Sequence, residues 1–160
     1  LGSTPKIEYC AEDDTYYIGG QYGLQSTKDF IHTTPLINSQ NIFLTQANYF
    51  KDKYIAISEG TAYYYSTDSI HWTPATLSAG EMKRILYSAE KSLYVGVGSN
   101  STKIAIFTSA DGITWTPQTV PDISGYLNYI LYSAKLELFI AVGNNGIIGT
   151  KLNVFAYKCS

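Results

Sequence analysis

Residues 81–124 read EMKRILYSAEKSLYVGVGSNSTKIAIFTSADGITWTPQTVPDIS. Four short apolar runs follow one another here. The first lies around Ile85 and Tyr87, the second at 93–97, the third at 104–108 and the fourth at 113–120. Each is rich in β-branched or aromatic residues, with turn residues between them, which is the pattern of successive strands. The third turn is Ser109-Ala110-Asp111-Gly112, followed by Ile113-Thr114-Trp115-Thr116-Pro117.

The unit recurs on both sides. Upstream, Ser66-Thr67-Asp68 precedes Trp72-Thr73-Pro74; downstream, Ile130-Leu131-Tyr132-Ser133-Ala134 copies Ile85-Leu86-Tyr87-Ser88-Ala89. The start of the chain is a worn copy: KIEYCAE, TYYIGGQ, GLQSTKD, FIHTTPL. Its turn, Ser26-Thr27-Lys28-Asp29, has one more residue before Thr34-Pro35 than the later copies have, and Thr33 holds the aromatic place. A period of roughly forty residues built from a four-stranded meander predicts an all-β fold, a small β-propeller of about four four-stranded antiparallel blades. One such unit cannot bury both faces alone, so the copies must stack. The expected blades are 5–35, 41–77, 81–120 and 127–159, one domain over 1–160. Closure within one chain is expected because the repeats fill its length; a larger ring completed by another chain is the alternative.

Composition narrows the function. The net charge is −2, and no basic stripe of the kind nucleic-acid binders carry is visible. Lys83-Arg84 reads as a solvated strand edge. Apolar runs are strand-length, too short for a membrane-spanning helix, and the opening Leu1-Gly2-Ser3-Thr4-Pro5 does not read as a signal peptide. There are 15 Tyr. Most alternate along expected strands, where packing explains them; Tyr63-Tyr64-Tyr65 is expected to send rings to both faces of a third strand. Cys10 and Cys159 are either a staple joining the first and last blades or two buried free thiols. No cofactor is expected. His32 and His71 occupy equivalent places on outer strands, so they read as structure and not as metal ligands. Gly96 and Gly98 read as sites of tight packing between blades.

The segment Ser109-Ala110-Asp111-Gly112-Ile113-Thr114-Trp115 resembles the Asp box, or BNR repeat, of sialidase-like β-propellers, whose form is S-x-D-x-G-x-x-W; here the Trp follows Gly112 by three. Ser66 to Trp72 resembles a second copy with Ser in place of Gly, and Ser26 to Thr33 a degenerate third. In that family the box is structural. The local chemistry agrees: the Asp carboxylate accepts bonds from backbone N–H groups of its own turn, Gly permits positive φ, and the Trp covers the hairpin.

The resemblance also bears on catalysis. Sialidases of this fold clamp a substrate carboxylate with three arginines, and this chain has one, Arg84. Lysine does not reproduce a bidentate guanidinium clamp. The carboxylates expected near the loop face, Glu59, Glu81 and Asp122, fall on different blades, whereas glycosidases pair two across one bond. The expectation is therefore a non-enzyme: a propeller that binds a surface carbohydrate or host-cell receptor, such as a phage or virion adhesin, at an extracellular or virion surface. A protein-interaction scaffold of the assembly-factor type is the alternative, and a reduced glycosidase the third reading. Loops between second and third strands and loops between blades should share one end of each meander, with the Asp turns at the other. The candidate ligand-binding residues on that loop face are Gln21, Tyr22, Asn38, Glu59, Asn100, Asp122, Tyr126 and Asn144. Ring stacking and planar amide hydrogen bonds are what a sugar would use there. The expected partners are a glycan or cell-surface receptor, with no nucleic acid, no membrane insertion and a homo-oligomer allowed.

Overall fold

A computed structural model describes residues 6–20, 23–37, 42–144, 146–151 and 154–158. Among them are sixteen strands and no helix. They form four antiparallel sheets, each a meander in sequence order. The first comprises β1 (Lys6–Cys10), β2 (Thr15–Gly20), β3 (Gly23–Thr27) and β4 (Thr34–Ile37). The second comprises β5 (Leu44–Phe50), β6 (Lys53–Ser58), β7 (Ala62–Ser66) and β8 (Thr73–Thr76). The third comprises β9 (Glu81–Ser88), β10 (Leu93–Asn100), β11 (Lys103–Ser109) and β12 (Thr116–Pro117). The fourth comprises β13 (Leu127–Ser133), β14 (Leu138–Gly143), β15 (Gly146–Lys151) and β16 (Val154–Lys158).

The chain divides into two compact units, Leu1–Thr76 and Leu77–Ser160. In the first unit β5 packs on β1 and β2, and the core gathers Cys10, Tyr17 and Leu24 against Leu44, Ala47, Tyr54 and Ala56. In the second unit β13 packs on β9 and β10. There Val95, Val97, Ile104 and Ile106 meet Leu127, Ile130, Phe139 and Ala141. Strands buried on both faces read as continuous apolar runs, as in β6 and β10. Cys10 is buried as a free thiol, and Cys159 lies outside the described residues.

Every sheet carries one cross-strand aromatic pair at the same register. The pairs are Tyr9–Tyr16, Tyr49–Tyr54, Tyr87–Tyr94 and Tyr132–Phe139, with ring centroids 4.9, 4.9, 4.6 and 4.9 Å apart. Directly opposed rings of this kind stabilise an antiparallel pair and fix its register. Of the Tyr run in β7, Tyr63 is buried, while Tyr64 on the other face packs against the core of the first unit.

Two expectations are corrected. The fourth strand of the third sheet was expected over 113–120, and β12 holds only Thr116–Pro117. The amides of Ile113 and Thr114 are taken by Asp111, so they cannot enter a ladder. The glycines of β10 were expected to mark packing between blades, but the close approach is inside the sheet. One extra residue bulges from the first strand of three sheets: Thr45, Lys83 and Asn128. Opposite the last two stand Gly98 and Gly143, where a Cβ would collide with the carbonyl oxygens of Glu81 and Tyr126. A Cβ on Gly96 would meet Met82 Sδ at 2.5 Å and Trp115 Cζ3 at 3.2 Å.

Outer strands β4, β8 and β12 each carry a proline, Pro35, Pro74 and Pro117. Proline has no N–H to offer a neighbouring strand, which blunts these edges.

Candidate functional site

Meander order puts the start of each first strand and the loop between second and third strands at one end of a sheet, as expected. Backbone bonds tie them together: Ile42 N donates to Gly20 O at 3.1 Å, Glu59 N to Phe43 O at 2.9 Å, and Asn144 N to Tyr126 O at 3.2 Å. Gln21, Tyr22 and Asn38 lie outside the described residues. Glu59 is exposed at this end of the second sheet, in the first unit.

The other four candidates form a strip along the loop end of the second unit. Asn100 and Lys103 are register partners across the β10–β11 hairpin. Lys103 forms an ion pair with Asp122, Nζ to Oδ1 2.7 Å. The linker 121–125 lies along that hairpin: Ile104 N donates to Ile123 O at 3.0 Å, and Gly125 N to Thr102 O at 2.7 Å. One residue on, Tyr126 N donates to the side-chain oxygen of Asn144 at 2.9 Å. The structure therefore brings Asn100 together with Asp122 through Lys103, and Tyr126 together with Asn144. It leaves Asn100, Asp122, Tyr126 and Asn144 all exposed.

Lys103 was missed from sequence. Its signal was a lone cation in a polar hairpin facing an acidic linker. An exposed pair of this type contributes about 0–1 kcal/mol, so it orders the loop more than it stabilises the fold. The remaining loop-end carboxylate, Glu81, accepts a bond from Ser99 Oγ at 2.9 Å and pairs with Lys83 at 3.3 Å.

The Asp turns stand at the opposite end of the sheets and share one design. Asp111 Oδ1 accepts from Ile113 N and Thr114 N at 2.8 and 2.7 Å and from Ser109 Oγ at 2.8 Å. Asp68 Oδ1 accepts from Ile70 N and His71 N at 2.9 and 2.8 Å and from Ser66 Oγ at 3.0 Å. Asp29 Oδ1 accepts from Ile31 N and His32 N at 2.9 and 2.8 Å. The hydrogen bonds of the first turn are therefore intact, although Thr33 still holds the aromatic place, so the expected decay is confined to the missing ring. Thr27, not Ser26, takes the hydroxyl position, its Oγ1 receiving Phe30 N at 3.0 Å, and no residue is inserted. The residue after each Asp has positive φ: Phe30 at 58°, Ser69 at 62° and Gly112 at 73°. Asp111 and Gly112 are adjacent, where the Asp-box form has a residue between them.

His32 and His71 are equivalent, as expected, but stand in the turns before β4 and β8. Their Nδ1 atoms lie 2.7 Å from Asp29 Oδ2 and Asp68 Oδ2. These bonds hold the carboxyls below their ordinary value of 3.8. Asp29 is held at about 2, chiefly by the His32 amide and then its ring; Asp68 is lowered by the His71 ring and then its amide. At Asp111 burial pushes upward, and the amides of Thr114 and Ile113 outweigh it, giving about 2.

The tryptophans do more than cover hairpins. Trp72 packs edge-on against Tyr17 of the neighbouring sheet, centroids 5.6 Å apart, and its indole N–H donates to Ser69 O at 3.0 Å. Trp115 is buried edge-on against Tyr94 at 6.4 Å, and its indole nitrogen has no hydrogen-bond partner among the described residues. A shallow cavity of about 370 Å³ lies between Leu93 and the 108–116 turn, away from the loop-end residues. Among the described residues no group of three or more His, Cys, Asp and Glu is placed to hold a metal ion. The described residues contain no helix long and apolar enough to cross a membrane.

No known protein family matches the chain, and no curated protein does.

Proposed function

We propose that the chain is a non-enzymatic binding β-propeller of the Asp-turn type that takes a surface carbohydrate on its loop end. The carrying observation is the strip Asn100, Lys103, Asp122, Tyr126 and Asn144, in which backbone bonds fix a polar loop beside a half-exposed tyrosine ring. Amide, ammonium and carboxylate groups around one accessible ring are the set that saccharide recognition uses. Loops braced in this way lose little freedom on binding, which favours affinity. The four meanders, three of them with the same Asp turn, support the propeller reading. A virion or extracellular surface, with a host glycan or receptor as partner, is the setting this reading implies.

The test is a glycan array together with pull-down on bacterial cell walls, followed by titration of the best ligand. Tyr126→Ala is expected to weaken binding at least tenfold, about 1.4 kcal/mol, and Asn144→Ala to weaken it by a similar factor through loss of the bond that seats Tyr126. Absence of any saccharide or cell-wall binding sinks the proposal. One stoichiometric protein captured in its place would establish the scaffold reading. Turnover of an aryl glycoside that is lost on changing Glu59, Glu81 or Asp122 would establish the hydrolase.

A further inference from the structure

We propose that the open face of the fourth sheet docks the open face of the first sheet of a second copy of this chain, head to tail. Each sheet has an aromatic-pair face and an opposite face. In the first unit the aromatic-pair face of the second sheet, through Tyr54 and Ala56, covers the opposite face of the first sheet at Tyr17 and Leu24. In the second unit the aromatic-pair face of the fourth sheet, through Ile130 and Phe139, covers the opposite face of the third sheet at Val95 and Val97. The same two faces meet in the same order both times.

Among the described residues two faces remain bare. On the aromatic-pair face of the first sheet, Ile7 is 49% and Tyr9 47% exposed, beside their register partners Ile18 and Tyr16. At the place of Tyr9 the other sheets carry the half-buried Tyr49, Tyr87 and Tyr132, and at the place of the half-buried Tyr16 they carry the buried Tyr54, Tyr94 and Phe139. On the opposite face of the fourth sheet, Tyr129 is 53% and Leu131 43% exposed, beside Val142 and Ile140. Their counterparts in the third sheet, reached through the same register, include the buried Val97 and Val95. The bare faces are thus the two halves of an interface that the chain builds twice internally. Neither has a charged side chain on the paired strands β1–β2 or β13–β14. That depletion of charge marks the core of an interface, and contiguous apolar patches of this kind are interaction surfaces. Because one chain carries one of each half, the contact is heterologous and closes a ring or extends a row. The inference is independent of what the loop end binds.

Light scattering of the intact chain over a concentration series tests it. The expected mass exceeds that of one chain. Leu131→Asp and Tyr9→Asp each reduce it to one chain, with an unchanged circular-dichroism spectrum and a melting midpoint that no longer depends on protein concentration. Mixing these two variants then restores a species of two chains, because each supplies the half that the other lacks. If either variant misfolds, Tyr129→Glu and Ile7→Glu repeat the experiment on the same faces. A wild-type mass of one chain at every concentration overturns the proposal. So does an oligomer that survives either substitution, or a mixture that stays monomeric.

Discussion

A carboxylate that accepts two amides of its own turn is the repeated device of this chain. Asp29, Asp68 and Asp111 each close a hairpin end and free the following residue to take positive φ. All three carboxyls ionise below their unfolded value, so each adds stability that is fully present above about pH 4; for Asp29 and Asp111 it is lost as pH falls toward about 2, and for Asp68 at still lower pH. The urea midpoint should therefore drop over that window. In a triple variant with Asp29→Asn, Asp68→Asn and Asp111→Asn the drop should be smaller, because Asn keeps an acceptor but does not titrate. An equal drop in the triple variant would show that other carboxyls carry the acid sensitivity. Removing the acceptor is a different change: Asp111→Ala strands two amides and should lower stability by about 1–2 kcal/mol in chemical denaturation.

Bulges and outer strands are where the elements depart from simple alternation. Gly98→Ala places a methyl group against the Glu81 carbonyl, and β9 must shift to admit it. The second sheet carries Ser58 at the corresponding place, so the shift is sterically possible. The variant should fold but lose about 2 kcal/mol, read as a lower melting midpoint; an unchanged midpoint would mean that the bulge is soft. The sixteen strands were legible because apolar periodicity and turn residues recur with each copy, and burial on both faces leaves long apolar runs such as 93–97. Other features were hidden for local reasons. The bulged residues Thr45, Lys83 and Asn128 share no chemistry. The first turn was misread by one residue because Ser26 and Thr27 both offer a hydroxyl. The short β12 follows from where Asp111 sends its oxygens, which no propensity encodes. At the loop end, the pairing of Tyr126 with Asn144 depends on a bulged register between strands, and Lys103 emerged only when the 121–125 linker was seen lying along its hairpin.

At the scale of the whole molecule, low charge coincides with bare apolar sheet faces. The net charge is −2 and the isoelectric point is about 5.6, so repulsion between chains is weak and vanishes in mild acid. Turbidity should peak near pH 5.6, and Leu131→Asp should reduce that peak by adding charge to a bare face. A pH-independent turbidity would show that the apolar faces do not govern association. The two tryptophans have an optical consequence. Trp72 lies in the unit 1–76 and Trp115 in the unit 77–160; the first indole is bonded to a carbonyl and only partly buried, and the second is buried without a partner among the described residues. Each half of the chain thus carries its own fluorophore in its own dielectric, with Trp115 the bluer emitter. Paired Trp72→Phe and Trp115→Phe chains would resolve, by colour alone, which half melts first.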